Sequence, residues 1–493
     1  MNSTVKNIIY MVLQQFILLF LPLLTIPYVS RILGPSEIGI VSYSNSIVML
    51  FINFALLGSE YYGVREIAKV KDDRVKLTHM FSEIFTVRLT FLTGSLLIYL
   101  ILSYVYFDSK LVFYLQCINL LAYMVDINWF FQGMEQFKKI LIRNIIIKVI
   151  GFISVFIFIK DESDIYIYII ILALTTFLGN IFLLFNLPKF IDSVKKTSVA
   201  KSLFHVRNML SLFMAGFSIM IYILIDKIML GMLSTTAEVG YYEQGQRIIN
   251  VAVNVVAAFN VVMLPKATQL INEKDNKSLV ALLNTSILNI AFIVLPIFTT
   301  FFVVSSDFIT WFLGDQFQRS VFVGQVLAPL ILIKAIGIMF GAVYFIPLEK
   351  NKEYTLPLVV GAIVNIVLNV VLIPGFGSKG SAFATLLTEL IILLIQLYYL
   401  RKIIKVKQLV QDGILKYIGS SAIIMISLIE LQKVWSFTSK FENILIYSVI
   451  SVVLYIILLV LFRDKILNTF INKFLKNRVH KVYNQLFHRG SMK

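Results

Sequence analysis

The sequence is poor in the residues on which much soluble chemistry depends. One cysteine, Cys117, sits in an apolar run, which excludes an intrachain disulfide and leaves a free buried thiol as its reading. Four histidines are present: His79 and His205 at segment edges, His480 and His488 in a basic tail. They are too few and too scattered to make a metal site. Ten prolines and 23 glycines in 493 residues exclude a disordered or low-complexity chain. Charged residues make up 14%, well under the ~25% usual in water-soluble domains. No stretch between apolar runs is long enough to fold as a soluble domain, which argues against a membrane glycan polymerase with a large catalytic loop. A cleavable signal peptide is not expected either, because the first apolar run is long and a second follows at once.

The chain is instead 59% hydrophobic, with a mean hydropathy of +0.87. Apolar runs of about 20 residues can cross a bilayer core as helices. Fourteen are expected, at 7–29, 38–58, 80–105, 111–131, 140–159, 164–187, 208–232, 245–265, 281–304, 322–347, 355–373, 380–400, 414–431 and 443–462. The fold class is therefore an all-α polytopic membrane protein. Lys and Arg outnumber Asp and Glu by 44 to 27, a net charge of +17. The excess lies in short connections, such as Arg65 to Lys76, Lys138 to Arg143, and Arg401 to Lys416. This is the pattern that orients a membrane protein with both termini on the cytoplasmic side, not a stripe for nucleic acid. The tail over 466–493 alternates apolar and basic residues, as expected of an amphipathic helix on an anionic leaflet.

Ionisable groups within spans are expensive, and each is a candidate for function. They are Arg88, Asp126, Lys148, Asp226, Lys227 and Lys334, with Arg31 and Arg247 near outer span ends. Arg31, Arg88 and Lys148 all fall in the first half, where Asp126 is the main opposing group. Two readings stand: a wet cationic cavity, or charges that pair as structural glue, with Lys148 and Lys334 free to snorkel. A cationic cavity would suit a diphosphate headgroup, whose desolvation fixed Arg and Lys offset. Gln14, Gln15, Asn45, Asn53, Gln116, Asn119, Asn128, Trp129 and Gln132 add the amides and flat aromatic face that attached sugars require. In the second half, Asn365 and Asn369 share a helical face, as do Ser381 and Thr385. With Asp226 they offer oxygens to a small hard cation, or they simply hydrogen-bond between helices.

The chain also repeats itself. Arg31-Ile32-Leu33-Gly34-Pro35 followed by Glu37-Ile38-Gly39 is echoed by Lys227-Ile228-Met229-Leu230-Gly231 followed by Glu238-Val239-Gly240. The echo suggests a duplicated membrane protein.

Tyr28-Val29-Ser30-Arg31-Ile32-Leu33-Gly34-Pro35, the Tyr62-Gly63-Val64-Arg65-Glu66-Ile67-Ala68 block and Asp126-Ile127-Asn128-Trp129-Phe130-Phe131-Gln132-Gly133-Met134-Glu135 carry a resemblance. So do Asp226-Lys227-Ile228-Met229-Leu230-Gly231 and Gly240-Tyr241-Tyr242. Together they resemble the polysaccharide transporter branch of the multidrug/oligosaccharidyl-lipid/polysaccharide exporter superfamily. That resemblance implies two six-helix lobes related by a pseudo-two-fold axis, similar to MATE transporters and lipid II flippases. The lobes would be 1–200 and 201–402, followed by an extra helix pair at 403–465 and the tail at 466–493. It further implies a flippase for undecaprenyl-diphosphate-linked oligosaccharides of capsule or O-antigen type in a bacterial cytoplasmic membrane. The bilayer, a polysaccharide polymerase and glycosyltransferases would be its surroundings and partners. Arg31, Arg65 and Arg88 would be counterparts of first-lobe cavity arginines, and Lys148, Asp126, Trp129 and Arg247 complete the candidate substrate set. Asp226, Asn365, Asn369, Ser381 and Thr385 would form a coupling site for Na⁺ or H⁺, although Asn369 stands where an acid would strengthen it. The competing readings are a multidrug/cation antiporter of the same superfamily and, less favoured, a glycan polymerase.

Overall fold

The computed structural model describes residues 3–107, 109–194, 197–198, 202–403, 413–435 and 437–469, with side chains from 21 onward except at 22, 211–212, 214–219, 221–222 and 257–262. The described residues are almost entirely helical. In order the helices are α1 (Ser3–Leu56), α2 (Ser59–Val70), α3 (Arg74–Tyr106), α4 (Lys110–Met124), α5 (Asn128–Gly133), α6 (Phe137–Phe158) and α7 (Ile165–Leu184). They continue with α8 (Phe204–Leu233), α9 (Thr236–Asn272), α10 (Asn276–Leu313), α11 (Gln318–Leu327), α12 (Leu330–Phe340), α13 (Asn351–Leu400), α14 (Ile414–Val434) and α15 (Lys440–Leu461).

Among the described residues, nine helices are long and apolar enough to cross a membrane, or ten if the bent pair 315–345 counts as one span. Part of the difference from the fourteen expected is fusion. The expected spans 7–29 and 38–58 run together as α1, and 355–373 and 380–400 as α13. Each fused helix breaks at a glycine with positive φ, Gly34 at 73° and Gly377 at 54°, a conformation that only glycine adopts without strain. Of the tail expected over 466–493, residues 470–493 lie outside the described residues, as do the side chains of Gln14 and Gln15.

Two departures matter for the site. First, a connection was expected after residue 58, but 59–70 is the helix α2. Its buried residues Ser59, Tyr62, Gly63 and Ile67 recur every three or four positions, while Glu60, Tyr61, Arg65 and Lys69 stay outside. Second, the expected span 111–131 is interrupted: α4 ends at Met124 and α5 starts at Asn128, so Asp126 falls in the break. The start of α3 is capped by Asp73, whose carboxylate accepts from the backbone of Val75 and Lys76 at 3.1 Å each. Those bonds, Lys76 first, hold the Asp73 carboxyl below the usual carboxylate range.

The packing divides into two units. One comprises residues 1–247, 312–323 and 358–388. Its core holds Tyr62, Ile67, Phe81, Trp129, Phe130 and Phe131, where α2, α3 and α5 meet, and a second cluster of Ile47, Val48, Ile52, Leu92, Phe113 and Leu120. The other unit comprises 248–311, 324–357 and 389–493. There α15 packs beside α10 through Thr300···Ser451 at 2.6 Å and Tyr455 donating to the Phe292 carbonyl at 3.0 Å, and α14 through Gln432 donating to the Val303 carbonyl at 3.3 Å. Lys334, for which snorkelling was one reading, instead pairs with buried Glu389 at 2.9 Å in this unit. Exposed aliphatic rows such as Leu97, Ile98 and Ile101 on α3 suit contact with lipid.

Candidate functional site

Two cavities with polar walls are formed by described residues of the first unit. The first, about 230 Å³, lies between α1, α4, α6, α7, α8 and α9. The second, about 480 Å³, is walled by α2, the break around Asp126, α5, α6 and α7. Lys148 and Thr176 line both cavities and join them.

The charged lining of the first cavity is Lys148, Lys227 and Arg247 against a single carboxylate, Glu243. Glu243 is bound on both oxygens: Lys227 Nζ at 2.6 Å and the Ser42 hydroxyl at 3.2 Å on one, Arg247 Nη2 at 2.7 Å on the other. Lys148 makes no hydrogen bond or ion pair among the described residues. The cavity therefore carries uncompensated positive charge, centred on its junction with the second. Its polar wall is ordered by Gln116, which donates to Ser44 at 2.9 Å and accepts from Asn119 at 2.6 Å. Those two amides fall in the set expected from the sequence.

The second cavity is more mixed. Arg143 lines it, with Nε on the Gly179 carbonyl at 3.0 Å, Nη1 on Asn144 at 2.6 Å and Nη2 on Asn180. Asp126 also lines it, but its carboxylate is occupied. One oxygen accepts from the Asn128 side chain at 2.6 Å and backbone at 3.2 Å, and the other from Arg88 Nη2 at 3.2 Å. Glu60 faces the same cavity and makes no hydrogen bond or ion pair among the described residues.

The expected site residues therefore divide. Lys148 and Arg247 line the first cavity, and Lys148, Asp126 and Trp129 the second. Arg88 is 2% exposed, lines neither, and spends its second nitrogen on Ser59 Oγ at 2.9 Å. Its geometry matches the pairing alternative, with the guanidinium 5.8 Å from the Trp129 ring. Trp129 is stacked at 5.5 Å on Phe81 and almost wholly buried, so it is a core residue at the cavity wall more than an open sugar platform. Tyr61 offers the more exposed ring there. Arg65 lies on the outer face of α2, bonded to Glu66 at 2.9 Å, and Arg31 is exposed beside the break at Gly34; neither lines either of these two cavities.

The residues expected to hold a cation do meet. Asp226 is fully buried and accepts from Asn369 at 2.7 Å, Thr385 at 2.8 Å, Asn365 at 3.0 Å and the Tyr242 hydroxyl at 2.6 Å. The Ser381 carbonyl, at 2.9 Å, is an alternative acceptor for the same Thr385 hydroxyl. In this arrangement the asparagines present N–H groups to the carboxylate, where oxygens had been expected for a cation. Among the described residues no cationic side chain pairs with Asp226; its neighbour Lys227 turns to Glu243. Asn369 Oδ1 is buried with no hydrogen-bond donor. A carboxylate with four neutral donors and an adjacent spare oxygen can accept a proton or a small hard cation. Tyr242, Glu243, Glu60 and Arg143 were missed as site residues, since all four fall at or beyond the edges of the expected spans.

Three comparisons bear on this arrangement. Residues 4–271 match a family described as polysaccharide biosynthesis protein. The chain is 23% identical over 407 residues to a putative O-antigen transporter of Escherichia coli (strain K12), covering 80% of this chain and 96% of that one. It is 24% identical over 227 residues to a probable low-salt glycan biosynthesis flippase of Haloferax volcanii, covering 46% and 48%. In structure it is similar to the lipid II flippase MurJ in an inward closed conformation, with a TM-score of 0.73, 16% identity and coverage of 93% of this chain and 100% of the other. It is also similar to an inward-facing multidrug resistance MATE family transporter, with a TM-score of 0.57, 11% identity and coverage of 79% and 99%. The fold is that shared by these transporters.

Proposed function

Because this chain belongs to the polysaccharide biosynthesis protein family, we propose that it is a flippase for lipid-linked glycans and not an enzyme. Its cargo in this reading is an undecaprenyl-diphosphate-linked oligosaccharide repeat unit, moved from the cytoplasmic to the outer leaflet of a bacterial cytoplasmic membrane by alternating access. The observation that carries the proposal is Lys148, a cation without a partner among the described residues at the junction of two polar cavities. A diphosphate brings about two negative charges that cannot enter hydrocarbon unaided. Lys148, Lys227 and Arg247 supply the offsetting charge, and Arg247 has further N–H groups for phosphate oxygens. The amides and Tyr61 of the second cavity suit sugars, while the lipid tail stays in the bilayer.

An inside-negative potential assists outward movement of an anion by about 2.3 kcal/mol per charge per 100 mV. Asp226 supports coupling of this movement to H⁺ or Na⁺, because a buried carboxylate lacking a cation is where such an ion gains most. Basic connections support cytoplasmic termini, and a polymerase and glycosyltransferases would act after and before the flippase. A cationic drug, the cargo of an antiporter, would meet repulsion from the surplus positive charge.

The test is reconstitution of the chain in vesicles that contain a short-chain polyprenyl-diphosphate disaccharide. The proposal expects protein-dependent exposure of the disaccharide on the opposite leaflet, and slower movement of the uncharged polyprenyl glycoside. Equal movement of both lipids, or of neither, contradicts it.

A further inference from the structure

The second cavity holds a carboxylate that no part of the proposed flippase has yet used. Glu60 stands in the first turn of α2, on the side opposite the buried Ser59, Tyr62 and Gly63, and its side chain lines the 480 Å³ cavity. The other carboxylate there, Asp126, has both oxygens engaged by Arg88 and Asn128. Arg143 has turned its guanidinium into protein oxygens on α6 and α7. Two charged groups of the cavity wall thus remain uncommitted: Lys148 at the junction and Glu60 on α2.

An ionised carboxylate accepts hydrogen bonds and cannot donate them. Whatever faces Glu60 must present hydroxyl, amide or ammonium hydrogens, and a second carboxylate placed there is repelled. We infer that Glu60 is a specificity-determining residue, selecting glycans whose sugar units near the diphosphate are neutral or amino-bearing over those carrying a carboxylate. This rests on the flippase reading, in which Lys148 holds the diphosphate end and the sugars extend into the second cavity. Discrimination here comes from a repulsive element as much as from an attractive one.

The experiment compares two synthetic polyprenyl-diphosphate disaccharides in proteoliposomes, identical except that one carries a hexose and the other the corresponding hexuronic acid. The wild type is expected to move the neutral lipid about tenfold faster, the effect of one like-charge contact in a partly wet site. Glu60→Gln should bring the two rates close together, and Glu60→Lys should favour the acidic lipid. Glu60 makes no hydrogen bond or ion pair among the described residues, so both variants should unfold within a few degrees of the wild type, which thermal melting in detergent verifies. A preference unchanged by both substitutions, with the neutral lipid still moving, overturns the inference and leaves the flippase reading intact. If neither lipid moves with the wild type, the flippase reading fails and this inference fails with it.

Discussion

Gly39 and Gly240 face each other where the two segments that repeat in the sequence meet. A Cβ on Gly39 would lie 1.7 Å from the Thr236 carbonyl oxygen, and one on Gly240 would lie 1.9 Å from that of Pro35. The Ser36 and Thr236 hydroxyls meet at 3.2 Å beside them. The repeat thus has a physical purpose in this state: both copies of the Glu-aliphatic-Gly segment, each near the start of a helical stretch, place a bare backbone where the other must approach.

The contact is testable as a closed gate. In a Cys117→Ser background, Ser36→Cys with Thr236→Cys should oxidise readily to a disulfide. Adding Gly240→Ala should cut that yield severalfold, because the backbones can no longer meet. An undiminished yield would show that the two segments still meet without that glycine contact.

The buried ion pair makes a second prediction. Arg88→Ala leaves Asp126 without its cation in an interior site, a change that typically costs about 3–5 kcal/mol. The expected result is loss of folded protein, measured as melting temperature and monodispersity in detergent. Arg88→Ala with Asp126→Ala should recover part of the loss. A folded Arg88→Ala protein with normal melting but no transport would instead put Arg88 in contact with the cargo.

Asp226 makes the third. Asp226→Asn keeps the shape of the cluster while removing its charge. Transport should become insensitive to imposed proton and Na⁺ gradients in vesicles, with folding retained. If the variant responds to both gradients as the wild type does, Asp226 has a purely structural role.

Much of this was legible in the sequence because lipid imposes simple rules. Apolar runs gave the helices, and the four-residue spacing of Asn365 and Asn369 brought them to one buried acid. The interruption at 125–127 was not legible, since Val125, Asp126 and Ile127 include neither Gly nor Pro. Helix α2 was hidden because its exposed face carries Glu60, Arg65 and Lys69, so its hydropathy resembles that of a loop. Arg88 was readable as a charge in a span, but whether it faced a cavity or a carboxylate depended on where the broken chain at Asp126 would turn. Glu243 and Tyr242 lay at the edge of an expected span, where polar residues attract little notice. Only tertiary packing shows that Glu243 occupies the neighbouring Lys227 and so leaves Asp226 without a cation.

The central claim is that an uncompensated cation at the junction of the two cavities holds the anionic part of the cargo. The most direct measurement is the rate at which Lys148→Arg and Lys148→Glu proteins move the polyprenyl-diphosphate disaccharide in proteoliposomes. Lys148 makes no hydrogen bond or ion pair among the described residues, so both variants should fold and melt normally. The account predicts that Lys148→Arg keeps most of the rate and that Lys148→Glu loses about tenfold or more. A well-folded Lys148→Glu protein that transports at the wild-type rate would contradict it.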